Sequence, residues 1–306
     1  MSEPSAIRSA QPSRGFVLGH LFACSLFWGS SFLIIKLMGG EVSPWVIASC
    51  RGLVGAGTLA IWISLMGQVP WPRRDEIRDW LILGTSNGWL PNVLVAFALT
   101  RLDSGPAAMI QAAGPLVTAV IAHLAFADEQ LTRPRFAGIV LGFLGVGLII
   151  GPEALEGRGT LAGILAMAGV ALGYATGNLY TRTIPRADPA RLALGQQFVS
   201  GLVATVLAMI FVGAGGYASV PANALPLLAL GIVATALPMA IFMRLITHAG
   251  PTRASLTGYL VPTVAVILGI AVLGERLSLL QGVGAFTVLA GLALASGGSR
   301  GQKPAP

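Results

Sequence analysis

Charge is what this chain has least of: 19 Lys and Arg and 12 Asp and Glu supply 10% of 306 residues, against about 25% in a soluble domain. Such scarcity excludes an ordinary soluble fold. No acidic residue lies deep in an apolar run; Asp128, Glu129 and Glu275 stand at or just beyond the ends of such runs. A buried carboxylate relay of the kind used to move protons through a membrane is therefore not expected. Cysteine is almost missing, and Cys24 and Cys50 both fall inside apolar runs, so no structural disulfide is expected. The three histidines, His20, His123 and His248, sit near run ends and read as interfacial residues. HExxH and GxxxxGK[ST] are missing from the chain, and GxSxG occurs only as Gly84-Thr85-Ser86-Asn87-Gly88 inside an apolar segment and Gly297-Gly298-Ser299-Arg300-Gly301 beside the tail, neither at the strand-to-helix turn of a nucleophile elbow, which leaves catalysis, metal binding and cofactor binding without a candidate constellation.

What the chain does have is apolar length: 55% of residues are hydrophobic and the mean hydropathy is +0.79. A membrane-spanning helix needs about 20 predominantly apolar residues. Ten segments meet that description, at approximately 16–37, 43–66, 80–101, 104–125, 134–151, 160–182, 190–213, 223–245, 252–273 and 278–297. The chain is therefore expected to be an all-α integral membrane protein with ten transmembrane helices. The first segment follows Arg8 and Arg14 like a signal peptide, but it is too long for an h-region and lacks an A-x-A-like site, so it is read as a retained span. Residues 298–306 read as a disordered tail.

The basic residues fix an orientation. Arg8, Arg14, Arg73, Arg74, Arg78, Arg133 and Arg135 fall on one side with Arg182, Arg186, Arg191, Arg244, Arg253, Arg300 and Lys303. Lys36, Arg101, Arg158 and Arg276 fall on the other. By the positive-inside rule both termini are cytoplasmic, in a multi-pass protein of the cell's inner membrane. The net charge of +7 is then a topology signal, and nucleic acid is not an expected partner. Trp71 to Trp80, charged and bracketed by tryptophan, reads as an interfacial stretch in contact with lipid.

The segments also repeat. Gly231, Pro238 and Pro262 follow Gly84, Pro91 and Pro115 at a constant offset of 147 residues, and Leu277, Gly284 and Gly291 follow Leu131, Gly138 and Gly145 at 146. Trp28 maps onto Tyr174, and Arg51 onto Gln196. The copies occupy 1–151 and 159–297 with only a short join, so they are expected to pack as one transmembrane domain. Five segments is an odd number, so the second copy enters the membrane from the opposite side. The architecture expected is two inverted five-helix repeats around a central cavity.

Candidate functional residues follow from that geometry. Pro91, Pro115, Pro238 and Pro262 occupy matched mid-segment positions, where proline removes a backbone hydrogen bond and kinks the helix. Matched interruptions point to a midplane site and to gating. At i, i+4 and i+7 spacing the third segment presents Thr85, Trp89 and Asn92, the sixth Tyr174, Asn178 and Thr181, and the ninth Ser255, Tyr259 and Pro262. Gln111 and Thr118, Gln196 and Ser200, and Trp28 and Ser31 add to the lining, with Asn87 an off-face candidate. Such groups suit a small zwitterionic or neutral polar solute, although any one of them could equally hold helices together. Arg51 is the one charge well inside a segment; it either holds a substrate carboxylate or bonds carbonyls freed by a kink. Glycine pairs such as Gly138 with Gly142 permit close helix approach and do not by themselves imply a homodimer.

Phe27 to Phe32 running on to Lys36, Pro44 to Arg51, Gly114-Pro115 leading to Glu129, and Pro262 leading to Gly274-Glu275-Arg276-Leu277 together resemble the drug/metabolite transporter superfamily, in its EamA-type form. The resemblance spans about Phe16 to Ala295 and is nearest in size and lining to YddG-like amino-acid exporters. It implies a secondary transporter exporting amino acids or related small metabolites by alternating access, downhill or by exchange. The pattern departs where Asp128-Glu129 stands opposite Gly274-Glu275. The alternative is a proton-coupled drug or nucleotide-sugar carrier, for which one intramembrane arginine is few basic groups. A membrane sensor or intramembrane enzyme would need a signalling domain or a catalytic cluster, and an ion channel a lined filter; none is visible.

Overall fold

The computed structural model describes residues 13–126, 131–151, 158–184, 188–249, 251–254 and 256–297; Asp128, Glu129, Ser255 and the 298–306 tail lie outside them. Every regular element among the described residues is helical. In order they are α1 (Arg14–Leu37), α2 (Pro44–Leu65), α3 (Ile77–Gly84), α4 (Leu90–Leu99), α5 (Ser104–Ala112), α6 (Gly114–Ala125) and α7 (Arg133–Ile150). Then follow α8 (Arg158–Thr181), α9 (Pro189–Phe211), α10 (Ala224–Gly231), α11 (Leu237–Ala249), α12 (Pro251–Ala254), α13 (Thr257–Leu273) and α14 (Leu279–Gly297).

Eight helical stretches are long and apolar enough to cross a membrane, from Arg14–Leu37 through Ala224–Ala249. Two further apolar helices, Thr257–Leu273 and Leu279–Ala295, are shorter. The ninth expected segment began at residue 252, but α12 ends at Ala254 and α13 starts only at Thr257. With 17 residues, α13 reaches about 26 Å, less than the roughly 30 Å hydrocarbon core.

Local chemistry sets the helix limits. The Ser13 side chain accepts the Phe16 N–H to start α1, and Asp188 accepts the Ala190 N–H ahead of Pro189 in α9. Gly274, at φ +68°, adopts the left-handed conformation that ends α13. Inside two stretches the helix loosens into a π turn, at Thr85–Trp89 between α3 and α4 and at Ile232–Ala236 between α10 and α11. Each precedes a proline, Pro91 or Pro238, at the second position of the next helix. Proline has no N–H to give, so the carbonyl four residues back loses its helical partner.

Helices pack where glycine lets backbones meet. A Cβ on Gly52 of α2 would sit 2.5 Å from Gly201 Cα of α9, and one on Gly145 of α7 would sit 2.6 Å from the Val288 nitrogen of α14. Gly138 meets Gly291 and Ala295 of α14 in the same way. The glycines thus serve close packing within the chain, while Phe143, Leu144 and Phe286 on the outer faces of α7 and α14 stay exposed.

The two ends of the bundle differ. Where α1 ends and α2 begins, one continuous apolar cluster joins Phe32, Ile35 and Val46 to Leu99, Ile110, Met167 and Leu230, and so ties together α1, α2, α4, α5, α8 and α10. Polar ties reinforce it: Lys36 and Asp103 lie 3.5 Å apart, and Glu275 accepts the Ser104 and Gly105 N–H groups at 2.9 and 3.2 Å. At the opposite end the packing divides into separate clusters around Trp80 and Leu194, around Leu116 and Leu292, and around Leu21 and Leu245. The apolar packing is thus largely continuous at the first end, the sealed end, and divided among separate clusters at the second, the parted end.

At the parted end, Arg191 holds the segment between α2 and α3. Its Nε and Nη2 donate to Glu76 at 2.8 and 2.6 Å, and its Nη1 and Nη2 donate to the Val69 and Trp71 carbonyls. The bond from Arg191 holds the Glu76 carboxyl below its usual range. A lowered folded pKa means stabilisation that is present above the ordinary carboxylate pKa and lost as pH falls through the lowered value. In detergent, wild type should melt above Glu76→Gln at neutral pH, and the gap should close as pH drops below about 4. A gap independent of pH would show that the ionised carboxylate is not what stabilises this segment.

Candidate functional site

Between α1, α2, α4, α5, α6, α8, α9, α11, α13 and the two π turns lies a cavity of about 360 Å³, within reach of a single small solute. Trp28 and Ser31 of α1 line it with Phe32, whose ring belongs to the apolar cluster of the sealed end. Asn87, Asn92, Gln111, Asn178, Gln196 and Gln197 give it amides, and Tyr174, Thr235 and Thr257 give it hydroxyls. Among the described residues Arg51 is the only ionisable cation on the wall, and no carboxylate joins it. The site is thus polar, aromatic and singly positive.

Arg51 reaches the site from α2, where helix geometry carries it inward among buried Ser49 and Gly52. Its Nε donates to Thr235 Oγ1 at 2.8 Å, and that hydroxyl in turn donates to the Leu230 carbonyl at 2.7 Å. Thr235 lies in the π turn of the second half, so one side chain holds the loosened helix and anchors the guanidinium. Among the described residues Arg51 has no acidic partner within bonding range, and its terminal nitrogens are left to the cavity. Arg51 therefore braces an interrupted helix through a threonine hydroxyl rather than through the freed carbonyls expected from the sequence.

The first half has a neutral counterpart. Pro91 leaves the Asn87 carbonyl without its helical donor, and Gln196 Nε2 bonds that oxygen at 3.2 Å. Gln196 occupies in α9 the place that Arg51 occupies in α2, and Gly88 lies 147 residues before Thr235. Each interrupted helix is thus clasped by a side chain from the other half of the chain. One clasp is charged and the other is not.

Nine of the proposed binding residues gather on the cavity: Trp28, Ser31, Arg51, Asn87, Asn92, Gln111, Tyr174, Asn178 and Gln196, with Pro115 and Pro262. Thr85, Trp89 and Tyr259 do not. The π turn inserts between Thr85 and Asn92 and rotates the expected face; Thr85 is exposed, Trp89 Nε1 bonds it at 3.3 Å, and the Trp89 ring packs against the cluster of Ala48, Val93 and Ala204. Because α13 starts at Thr257, its inward face is Thr257, Gly258, Val261 and Pro262. Tyr259 turns away, and its hydroxyl bonds the Leu292 carbonyl at 2.8 Å. Pro91 and Pro238 stay buried behind the wall, where Pro91 abuts Gly173 and the Pro238 carbonyl accepts Cys24 Sγ. Sequence reasoning missed Phe32, Gln197, Thr235, Met239 and Val261. Only Gln197, next to Gln196 in an apolar segment, carried a signal that could have found it.

The charged clasp makes a measurable demand. Thr235→Val keeps the shape and removes the acceptor, which leaves a buried guanidinium nitrogen unpaired at a cost of about 1–3 kcal/mol. Its thermal stability in detergent should fall, and Thr235→Ser should restore it. Equal stability of Thr235→Val and wild type would show that Arg51 does not depend on the hydroxyl.

The comparisons with known proteins bear on the family and the fold. The description "EamA-like transporter family" matches the chain twice, over residues 15–151 and 161–297. An Escherichia coli K12 protein named "Uncharacterized inner membrane transporter YedA" is 26% identical over 272 residues, covering 87% of this chain and 85% of that one. A Salmonella typhimurium protein named "Probable amino-acid metabolite efflux pump" is 25% identical over 279 residues, covering 87% and 89%. A crystal structure with a TM-score of 0.68 and 17% identity covers 94% of this chain and 99% of its own, and shares the fold. With its family matched over both halves, the chain belongs to the EamA-like transporter family and is a membrane transporter.

Proposed function

We propose that the chain is a secondary transporter that exports amino acids or related small metabolites across the inner membrane. It works by alternating access between two inverted five-helix repeats, residues 1–151 and 159–297, with both termini in the cytoplasm. The observation that carries the reading is the Arg51-bearing cavity walled by both halves. An arginine fork with free donors matches a carboxylate, and the rings of Trp28 and Tyr174 and the surrounding amides suit the remainder of a small solute. The relative named an amino-acid metabolite efflux pump supports that cargo.

The helix pairings support the inverted repeat. α3 packs on α9 as α10 packs on α2, α4 on α8 as α11 on α1, and α6 on α8 as α13 on α1. Exchanging the halves maps each pair onto the other, as a pseudo-two-fold axis in the membrane plane requires. By the positive-inside rule the parted end faces the cytoplasm, the side from which an exporter loads. The π turns at Thr85–Trp89 and Ile232–Ala236, with Pro91, Pro115, Pro238 and Pro262, are the places where helices bend as access switches. A wall without a carboxylate favours downhill movement or exchange over proton coupling.

The test is counterflow of labelled amino acids into proteoliposomes, with and without a proton gradient. At least one neutral amino acid should exchange without the gradient, and Arg51→Gln should raise its KM about tenfold or more, the loss of one charge-assisted contact. Failure of every amino acid to exchange would overturn the cargo, and accumulation only under a gradient would overturn downhill transport.

A further inference from the structure

The cavity has an unfilled need of the opposite sense to Arg51. Gln197 Oε1 and Asn87 Oδ1 are buried side-chain oxygens without a hydrogen-bond donor, and both residues line the cavity. Gln197 is 3% exposed, and its Nε2 has only the Met239 sulfur, 3.6 Å away. In a bilayer interior an acceptor left without a donor is costly, because no bulk water compensates it. Both oxygens are buried as the side chains stand, and both side chains border the cavity from opposite halves, so a solute donor meets them when the amides turn toward it.

The acceptors lie close to the arginine. A Cβ on Gly55, one turn after Arg51, would be 3.2 Å from Thr235 Cγ2 and 3.6 Å from Gln197 Cγ. Gln197 therefore flanks the same glycine as the threonine that holds Arg51 Nε. Asn87 Oδ1 presses on Gly177, one turn from Tyr174, and Tyr174 is near enough to Arg51 to interact with it electrostatically. Gln197 thus flanks the Arg51–Thr235 pair, and Asn87 sits against the helix that carries Tyr174.

The geometry points to a second pole of the binding site: the side-chain oxygens of Gln197 and Asn87 receive an ammonium or N–H group of the solute, while Arg51 holds its carboxylate. This inference rests on the transport reading above and specifies which part of the solute each group of the wall grips. The carboxylate goes to α2 of the first repeat. The nitrogen goes to α9 of the second repeat and to the π turn between α3 and α4. A solute with both groups bridges the two repeats, and a solute with one engages only one pole. Neutral amide oxygens at the nitrogen pole leave Arg51 without a protein counter-charge, so its partner is supplied by the cargo. An amine lacking a carboxylate meets the arginine as a like charge and is rejected.

Counterflow of labelled L-leucine into proteoliposomes containing the full chain tests this with three competitors of one shape: L-leucine, 3-methylbutylamine, which lacks the carboxylate, and 4-methylpentanoate, which lacks the ammonium. Each single-ended analogue should compete at least about tenfold more weakly than leucine, the loss of one charge-assisted contact. In Gln197→Leu the discrimination against 4-methylpentanoate should collapse while 3-methylbutylamine stays excluded; in Arg51→Gln the pattern should reverse. Competition by 4-methylpentanoate equal to leucine in wild type overturns the nitrogen pole, and that comparison needs no variant to fold. Unchanged discrimination in a folded Gln197→Leu overturns the role of Gln197. If leucine and every other amino acid fail to exchange, the transport reading itself falls, which is a different result from exchange without discrimination.

Discussion

A guanidinium inside the bilayer must find partners, and the bond from Arg51 to Thr235 is the constraint on which the rest of this architecture turns. An arginine at the centre of a spanning helix costs about 2.5–3.5 kcal/mol on insertion scales. Here Nε is answered by a hydroxyl that exists in the right place only because the helix between α10 and α11 is loosened into a π turn. The turn in turn precedes Pro238, which breaks the regular ladder. Charge, interrupted helix and cavity are therefore one arrangement: remove the break and the arginine loses its partner; remove the arginine and the cavity loses its only charge.

Duplication supplies the matching half of that arrangement without its charge. Gln196 grips the Asn87 carbonyl freed by Pro91, as Arg51 grips Thr235. Two similar clasps hold two similar breaks across the interface between the halves, so a movement of one half against the other strains both. The end packing has the same unequal character. One end is sealed by a continuous apolar cluster with the Lys36 and Asp103 pair and the Glu275 contacts, while the other is divided among three clusters. Under the proposed alternating access, two like halves resting in an unlike arrangement would exchange it for its mirror.

Much of this was legible in the chain itself. Apolar length set the order of the helices, and the 147-residue offset paired the prolines that the structure sets behind the two π turns and beside the cavity. Arg51, Gln111 and the amides of α8 and α9 stood out because polar groups in apolar segments need a reason. Thr85 and Trp89 were misplaced because face counting assumes 3.6 residues per turn, and a π turn breaks that phase. Tyr259 was misplaced because the ninth segment does not run as one helix from residue 252. Thr235 had no signal in the sequence, since its counterpart is Gly88 and a threonine in an apolar helix ordinarily bonds its own backbone.

The central claim is that the two halves move so that one end of the cavity opens as the other closes. Spin labels on a background free of Cys24 and Cys50 measure this directly, with one pair at exposed Thr100 and Ala222 across the sealed end and another at exposed Arg78 and Thr247 across the parted end. With L-leucine present, the first distance should acquire a longer population while the second acquires a shorter one in equal proportion. Two distances that stay single, or that lengthen together, would contradict alternating access built on these clasped helices.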